Sequence, residues 1–138
     1  MSEITGDGYM VQATLGNNLE LYIKASTQYK LAKCYQKAGN ALSVLGDSYA
    51  KLNREYEAAH NYDQAGVMFQ RVNDPRAREM FDKAVELFIS ANNIISAAKA
   101  VVHGAELAEK EQRLTDAVKL YEKAYDYYDA AGSPATGA

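Results

Sequence analysis

The sequence predicts an all-α solenoid of about three antiparallel helix pairs, curving to the right or to the left, and three observations carry that expectation. The segment Asp116 to Ala131 holds Ala117, Tyr121, Ala124 and Tyr128 at intervals of four, three and four, so small and aromatic side chains alternate along one helix face. The same ladder stands at Ala77, Phe81, Ala84 and Phe88, and again at Ala58, Tyr62, Ala65 and Phe69. From Asn18 onward only Pro75 and Pro134 interrupt the helical period.

Taken in order, residues 1–17 carry Gly6, Gly8 and Gly16 with few charges, which predicts a flexible arm or loop with late helix onset. Its apolar members Ile4, Tyr9, Met10 and Val11 have no evident common face. Residues 18–133 form the helical-repeat domain. Its ladder centres are Tyr22, Leu42, Tyr62, Phe81, Val102 and Tyr121, spaced by 20, 20, 19, 21 and 19 residues. Alanine fills the slot four positions before the centre in five of the six units, which marks a repeated unit rather than six unrelated amphipathic helices. The expectation is six helices of about equal length with a pair period near 40 residues. Residues 134–138 are expected to be a frayed tail.

Close packing of antiparallel helices explains the ladder. An alanine lets a neighbouring backbone approach, and the aromatic one turn away fills the groove beside it. One pair cannot bury both of its faces, so pairs stack, and the stack leaves a concave surface. Asp74 and Pro75 start one helix, as cap and first helical residue. Asn92-Asn93 makes the next turn, the last helix starts near Thr115, and Gly132 ends it with Pro134 beyond. Gly39-Asn40 resembles a helix end, but Ala38 and Leu42 occupy ladder slots, so the break belongs near Lys33 to Gln36. Gly46 and Gly66, each four positions past a centre, are then close-contact sites.

Composition narrows the function. A chain of 138 residues is one domain by size, and 48% hydrophobic residues support a folded core. A net charge of −3 with pI near 5.4 argues against a nucleic-acid partner. The lone Cys34 cannot form an internal disulfide framework and fits a reducing compartment. No signal-peptide pattern opens the chain, and no apolar run approaches the ~20 residues of a membrane span, so a cytoplasmic protein is expected. His60 and His103 lack close metal spacing and read as surface or interhelix residues, so no metal or cofactor is expected. Cys34 has no positioned base, and Glu106, Glu109, Glu111, Asp126 and Asp129 read as solvated helix faces. No catalytic constellation stands out, and an enzyme is not expected.

A generic tetratricopeptide repeat is shorter, at ~34 residues, and carries a Trp-Leu-Gly type signature. This chain has no Trp and a longer period, making it a tetratricopeptide-like α–α superhelix of another kind. Its details resemble the soluble NSF attachment proteins of the alpha-SNAP or Sec17 type. The segments that carry the resemblance are KAGNALSVLGDSYAKL, EAAHNYDQAGVMFQRVNDPRAREMFDKAVELF, IISAAKAVVHGAELAEKE and DAVKLYEKAYDYYDAAGSP, covering about Asn18 to Ser133.

The resemblance implies an adaptor of vesicle-mediated transport. Proteins of this type wrap the four-helix SNARE bundle with a concave basic face and recruit the NSF ATPase, whose hydrolysis drives SNARE disassembly, while an apolar N-terminal loop holds them on endomembranes. By position, Lys30, Lys33, Arg71 and Lys99 match basic groove residues, and Ile4, Tyr9, Met10 and Val11 fall where the membrane loop stands. Asn93 departs from a common family arginine. Family members continue for about as long again beyond Ala138, and that part would engage NSF, so a fragment or a short homologue is expected. A solenoid ending there would expose a face of its last helix and favour self-association through Tyr125 or Tyr127. A general helical-repeat scaffold for other peptides is the alternative that the repeat alone supports.

Overall fold

The computed structural model describes residues 2–16 and 18–132, and among them are seven α-helices and no strand. They are α1 (Ser2–Gly16), α2 (Leu19–Leu31), α3 (Tyr35–Lys51), α4 (Glu55–Arg71), α5 (Arg76–Ser90), α6 (Ile94–Lys110) and α7 (Leu114–Ala130). Each packs on its neighbours in sequence, so odd and even helices form two layers of an all-α superhelix. The break expected near Lys33 to Gln36 lies between α2 and α3, and Gly39-Asn40 is inside α3.

One turn design joins every pair from α2 onward. The residues Lys33, Asn53, Asn73, Asn92 and Gln112 all have φ between 57° and 64°. The amide after each donates to a carbonyl five residues back, as in Cys34 N–H to Tyr29 at 2.8 Å and Asp74 N–H to Phe69 at 2.9 Å. This bond and the shorter one from the left-handed residue itself satisfy carbonyls that a helix end would leave unpaired. Asparagine is the side-chain-bearing residue that best tolerates this conformation, which accounts for three of the five.

The turns also correct the ladder. Each left-handed residue lies eleven positions past a centre: Lys33 after Tyr22, Asn53 after Leu42, Asn73 after Tyr62, Asn92 after Phe81, and Gly132 (φ 75°) after Tyr121. Counting eleven back from Gln112 gives Val101, not the expected Val102. Burial agrees: Val101 is 2% exposed while Val102 is half-buried, and Ala108, buried, replaces the exposed Glu109 seven positions on. The run Ala97-Ala98 offers an alanine in either register, so composition alone cannot choose between them.

Close approach at glycine holds the stack together. A Cβ on Gly39 would meet the Phe69 ring at 2.5 Å, one on Gly46 the Tyr62 ring at 2.6 Å, and one on Gly66 the Phe81 ring at 2.6 Å. These aromatic rings are 4% exposed or less, so each packs against a bare backbone in the core. Joints between successive odd helices add polar ties: Arg76 donates to Asn40 Oδ1 at 2.8 Å, and Gln36 to Asp74 Oδ2 at 3.0 Å.

The expected flexible arm is instead helix α1. Gly6 lets the Tyr29 ring approach to 2.7 Å of where its Cβ would stand, and Ala13 is fully buried. Gly6, Met10 and Ala13 repeat the four-and-three ladder, with glycine for alanine and methionine for the aromatic. Three glycines masked that pattern because they lower helix propensity. Polar contacts complete the dock: the Tyr29 hydroxyl donates to Asp7 at 2.6 Å, and the Lys37 ammonium reaches Glu3 at 2.8 Å and Asp7 at 3.1 Å. Hydrogen bonds from Tyr29 and then Lys37 hold the Asp7 carboxyl below its ordinary range. The tail expected at 134–138 lies outside the described residues.

Gly46→Ala is expected to destabilise the fold by about 1–3 kcal/mol in urea unfolding, because the added Cβ would stand 2.6 Å from the buried Tyr62 ring and force it to shift. Gly8→Ala meets nothing within 4 Å and gains helix propensity, so it should be neutral or stabilising by up to about 1 kcal/mol. Lys37→Gln should accelerate amide hydrogen exchange across α1 while leaving α4 and α5 protected; unchanged exchange in α1 would show that the polar dock is dispensable.

Candidate functional site

The alternation of directions makes the even helices parallel. Asp63 of α4 pairs with His103 of α6, and the Gln70 carbonyl of α4 accepts from Lys110 of α6 at 2.9 Å, both at a separation of 40 residues. On this frame the four basic residues fall in two places. Lys30 and Arg71 stand in the last turns of α2 and α4, where cations suit the helix dipole, and Lys33 is in the turn after α2. Lys99 lies in the first half of α6, towards the opposite end. Among the described residues none of the four is in an ion pair; Arg71 instead covers the Tyr35 ring at 5.0 Å. Asn93 caps α6 by accepting from the Ser96 amide at 3.1 Å.

The four apolar N-terminal residues are divided by α1. Tyr9 and Met10 turn inward against the core, whereas Ile4 and Val11 are 70% and 59% exposed. Leu15, 84% exposed, extends that outer face and was not anticipated. Spacings of seven and four from Ile4 place the three on one side of the helix. No helix among the described residues is long and apolar enough to cross a membrane.

A groove of about 720 Å³ runs between α4, α6 and α7. Tyr56, Val102, Tyr121, Tyr125 and Tyr128 give it apolar walls, and Lys99 and Glu106 of α6 line it as well. Tyr125 is 57% exposed, while Tyr127, the other residue expected to self-associate, packs partly buried against the core. Sequence reasoning took the tyrosines as core and Glu106 as a solvated face. The signal that could have revealed the groove was the aromatic doublet Tyr127-Tyr128 beside Tyr125, more aromatic surface than one buried helix face accepts. Cys34 is the residue before α3; desolvation and the nearby Glu3 carboxylate push its thiol up, which disfavours a thiolate nucleophile.

The Asp63–His103 pair faces this groove. Asp63 Oδ1 lies 2.9 Å from His103 Nδ1, which donates to it, and the Phe81 ring is 5.7 Å from the imidazole. The hydrogen bond to Asp63 raises the His103 pKa above 6.5; desolvation opposes the shift and the charges of Asp63 and Glu106 support it. A raised folded value means stability that is fully present below the ordinary value of 6.5 and lost as pH rises through the folded value. His103→Gln should therefore lower the melting temperature most in mild acid, and the gap to the unsubstituted protein should narrow as pH rises through the raised folded value. A gap that stays constant with pH would mean that the histidine acts by shape alone.

Comparison with known proteins places this architecture. A family model described as soluble NSF attachment protein, SNAP, matches residues 11–138. The chain is 31% identical over 111 residues to an alpha-soluble NSF attachment protein of Vitis vinifera, covering 80% of this chain and 38% of that protein. It is 29% identical over 110 residues to the Homo sapiens alpha-soluble NSF attachment protein, covering 79% and 37%. A probable vesicular-fusion protein sec17 homolog of Schizosaccharomyces pombe is 28% identical over 112 residues, covering 80% and 39%. The chain thus spans under two-fifths of the length of these curated relatives. With a match over nearly its whole length and a helical-repeat fold to go with it, the chain belongs to the soluble NSF attachment protein family.

Proposed function

We propose that this protein is an adaptor of intracellular vesicle traffic, not an enzyme, that binds the SNARE four-helix bundle through Lys30, Lys33, Arg71 and Lys99. Family membership supports the class of activity, and the lack of ion pairs at these four residues among the described part of the chain supports their role. A cation already neutralised by a neighbour would have to break that contact before meeting an acidic helix. Recruitment of the NSF ATPase belongs to the same reading, through the part of the family's length that the matched region does not span. The outer face of α1, with Ile4, Val11 and Leu15, supports peripheral attachment to cytoplasmic membrane surfaces; Tyr9 and Met10 serve the core instead.

A general helical-repeat scaffold remains the second reading, and the aromatic groove between α4, α6 and α7 favours it because that surface is apolar rather than basic. Self-association through Tyr125 belongs to this reading, whereas Tyr127 is turned towards the core.

The two readings separate in a pull-down with an assembled SNARE bundle. The unsubstituted protein should be retained, with retention falling as salt rises, and the quadruple variant K30E, K33E, R71E, K99E should lose most of it. Equal retention of both proteins would remove the basic residues from the interface, and failure of a full-length relative to bind would remove the assay itself.

A further inference from the structure

Successive odd helices face each other along two comparable seams, α3 with α5 over α4 and α5 with α7 over α6. A tyrosine closes the first. Tyr62, the ladder centre of α4, donates its hydroxyl to Asp47 of α3, and the Lys83 ammonium of α5 stands 5.2 Å from the centroid of its ring. The Arg76–Asn40 bond ties the same two odd helices. Met80, one position before the α5 centre, is 4% exposed.

The second seam keeps the polar slots and lacks the ring. Counted from the ladder centres Leu42, Tyr62, Phe81, Val101 and Tyr121, Asp47 corresponds to Glu86 and Lys83 to Lys123. Val101 stands where Tyr62 stands, with neither ring nor hydroxyl. Asn40 and Arg76 correspond to Glu79 and Asp116, two carboxylates that only accept and cannot tie the helices. Leu120, one position before the α7 centre, is half-buried where Met80 is buried. A hollow of about 480 Å³ lies between α5 and α7, and Val85, Val101, Gly104, Leu120, Glu86 and Lys123 all line it.

The hollow is open to a ligand ring. Val85 takes the slot of Gly46, so a ring seated here lies outside the position of Tyr62 and against Gly104 and Leu120. A Cβ on Gly104 would meet Leu120 Cδ1 at 3.9 Å and nothing nearer. Glu86 forms no hydrogen bond or ion pair among the described residues, and Lys123 rests 5.7 Å from the centroid of the Tyr127 ring. All the walls belong to α5, α6 and α7. A further odd helix of a longer solenoid stands on the far side of α7, as α7 stands on the side of α5 away from α3.

We infer that the α5–α7 seam is a docking site for a tyrosine side chain of a partner protein, its hydroxyl donating to Glu86 and its ring covered by Lys123. The chain builds the same arrangement internally at Asp47, Tyr62 and Lys83. The walls favour a protein segment over a free phenol. Asp82 and Lys119 stand one turn before Glu86 and Lys123, line the hollow too, and form no hydrogen bond or ion pair among the described residues. An acidic edge and a basic edge thus continue past the ring site and suit a segment with both signs of charge beside its tyrosine. None of Lys30, Lys33, Arg71 and Lys99 lines this hollow, so the inference does not rest on the SNARE reading.

The test is an NMR titration that follows the methyl groups of Val85, Val101 and Leu120, with the capped peptide acetyl-Ala-Lys-Tyr-Glu-Ala-amide as probe. Saturable shifts confined to these methyls and their neighbours are expected, with a Kd of about 1 mM or below. The same peptide with phenylalanine should bind about threefold more weakly or worse, and Glu86→Ala should remove that difference. Lys123→Ala should weaken both peptides. Gly104→Leu puts a side chain into the hollow and should abolish both, with the melting temperature unchanged or raised because leucine is the better helix former. Glu86 is exposed, so Glu86→Ala keeps the test decisive even if Gly104→Leu lowers the melting temperature. Equal affinity for the two peptides, binding that survives Gly104→Leu, or no saturation at about 10 mM would overturn the inference. p-Cresol binding as tightly as the tyrosine peptide would overturn it in favour of a free phenol.

Discussion

Contact between an aromatic ring and a bare helix backbone is the interaction on which the stack depends. Gly39, Gly46 and Gly66 give up helix propensity, and each receives the ring of Phe69, Tyr62 or Phe81 at a distance that no Cβ would allow. The compensation is an interaxial approach close enough to exclude water from alanines such as Ala38, Ala58 and Ala65, all fully buried. Dispersion and apolar burial at such joints replace the large central core that two thin layers of helices do not have. Polar ties then fix the alignment: Arg76 to Asn40 in one layer, His103 to Asp63 in the other.

Most of the architecture was legible because its signal is periodic. Ladder slots predicted buried Tyr22, Leu42, Tyr62 and Phe81, and the glycine contacts at Gly46 and Gly66 followed from the register. Two features escaped for physical reasons. In α1 the inward face is made of Gly6, Met10 and Ala13, so the residues that allow close docking are those that weaken the helical signature. In α6 the ladder was read one residue late, because Ala97-Ala98 and Val101-Val102 present the same residue types in both registers. The left-handed turn at Gln112 and the burial of Val101 and Ala108 distinguish them.

The candidate site was less legible than the fold. Basic residues could be located by family resemblance, but whether a cation is free or engaged depends on neighbours distant in sequence. Lys37 shows the contrast: it lies between Lys33 and the rest of α3 yet is committed to Glu3 and Asp7, some 30 positions away. The groove was harder still to anticipate, since it is a property of how α4, α6 and α7 diverge and not of any one helix. A tyrosine in a ladder slot reads as core, yet Tyr121 is 38% exposed on the groove wall.

The nearest-neighbour arrangement has a kinetic consequence. Contacts link each helix chiefly to the one before and the one after, so the chain separation that must be closed at each joint stays near one repeat however many repeats are stacked. Loop-closure entropy is met in equal small steps, and folding can begin at the tightest joints, α3 with α4 and α4 with α5, and spread outward. Lengthening such a protein adds increments of stability without adding a long-range search. Growth by duplication of a helix pair is therefore open to this architecture in a way that it is not to a fold whose termini must meet.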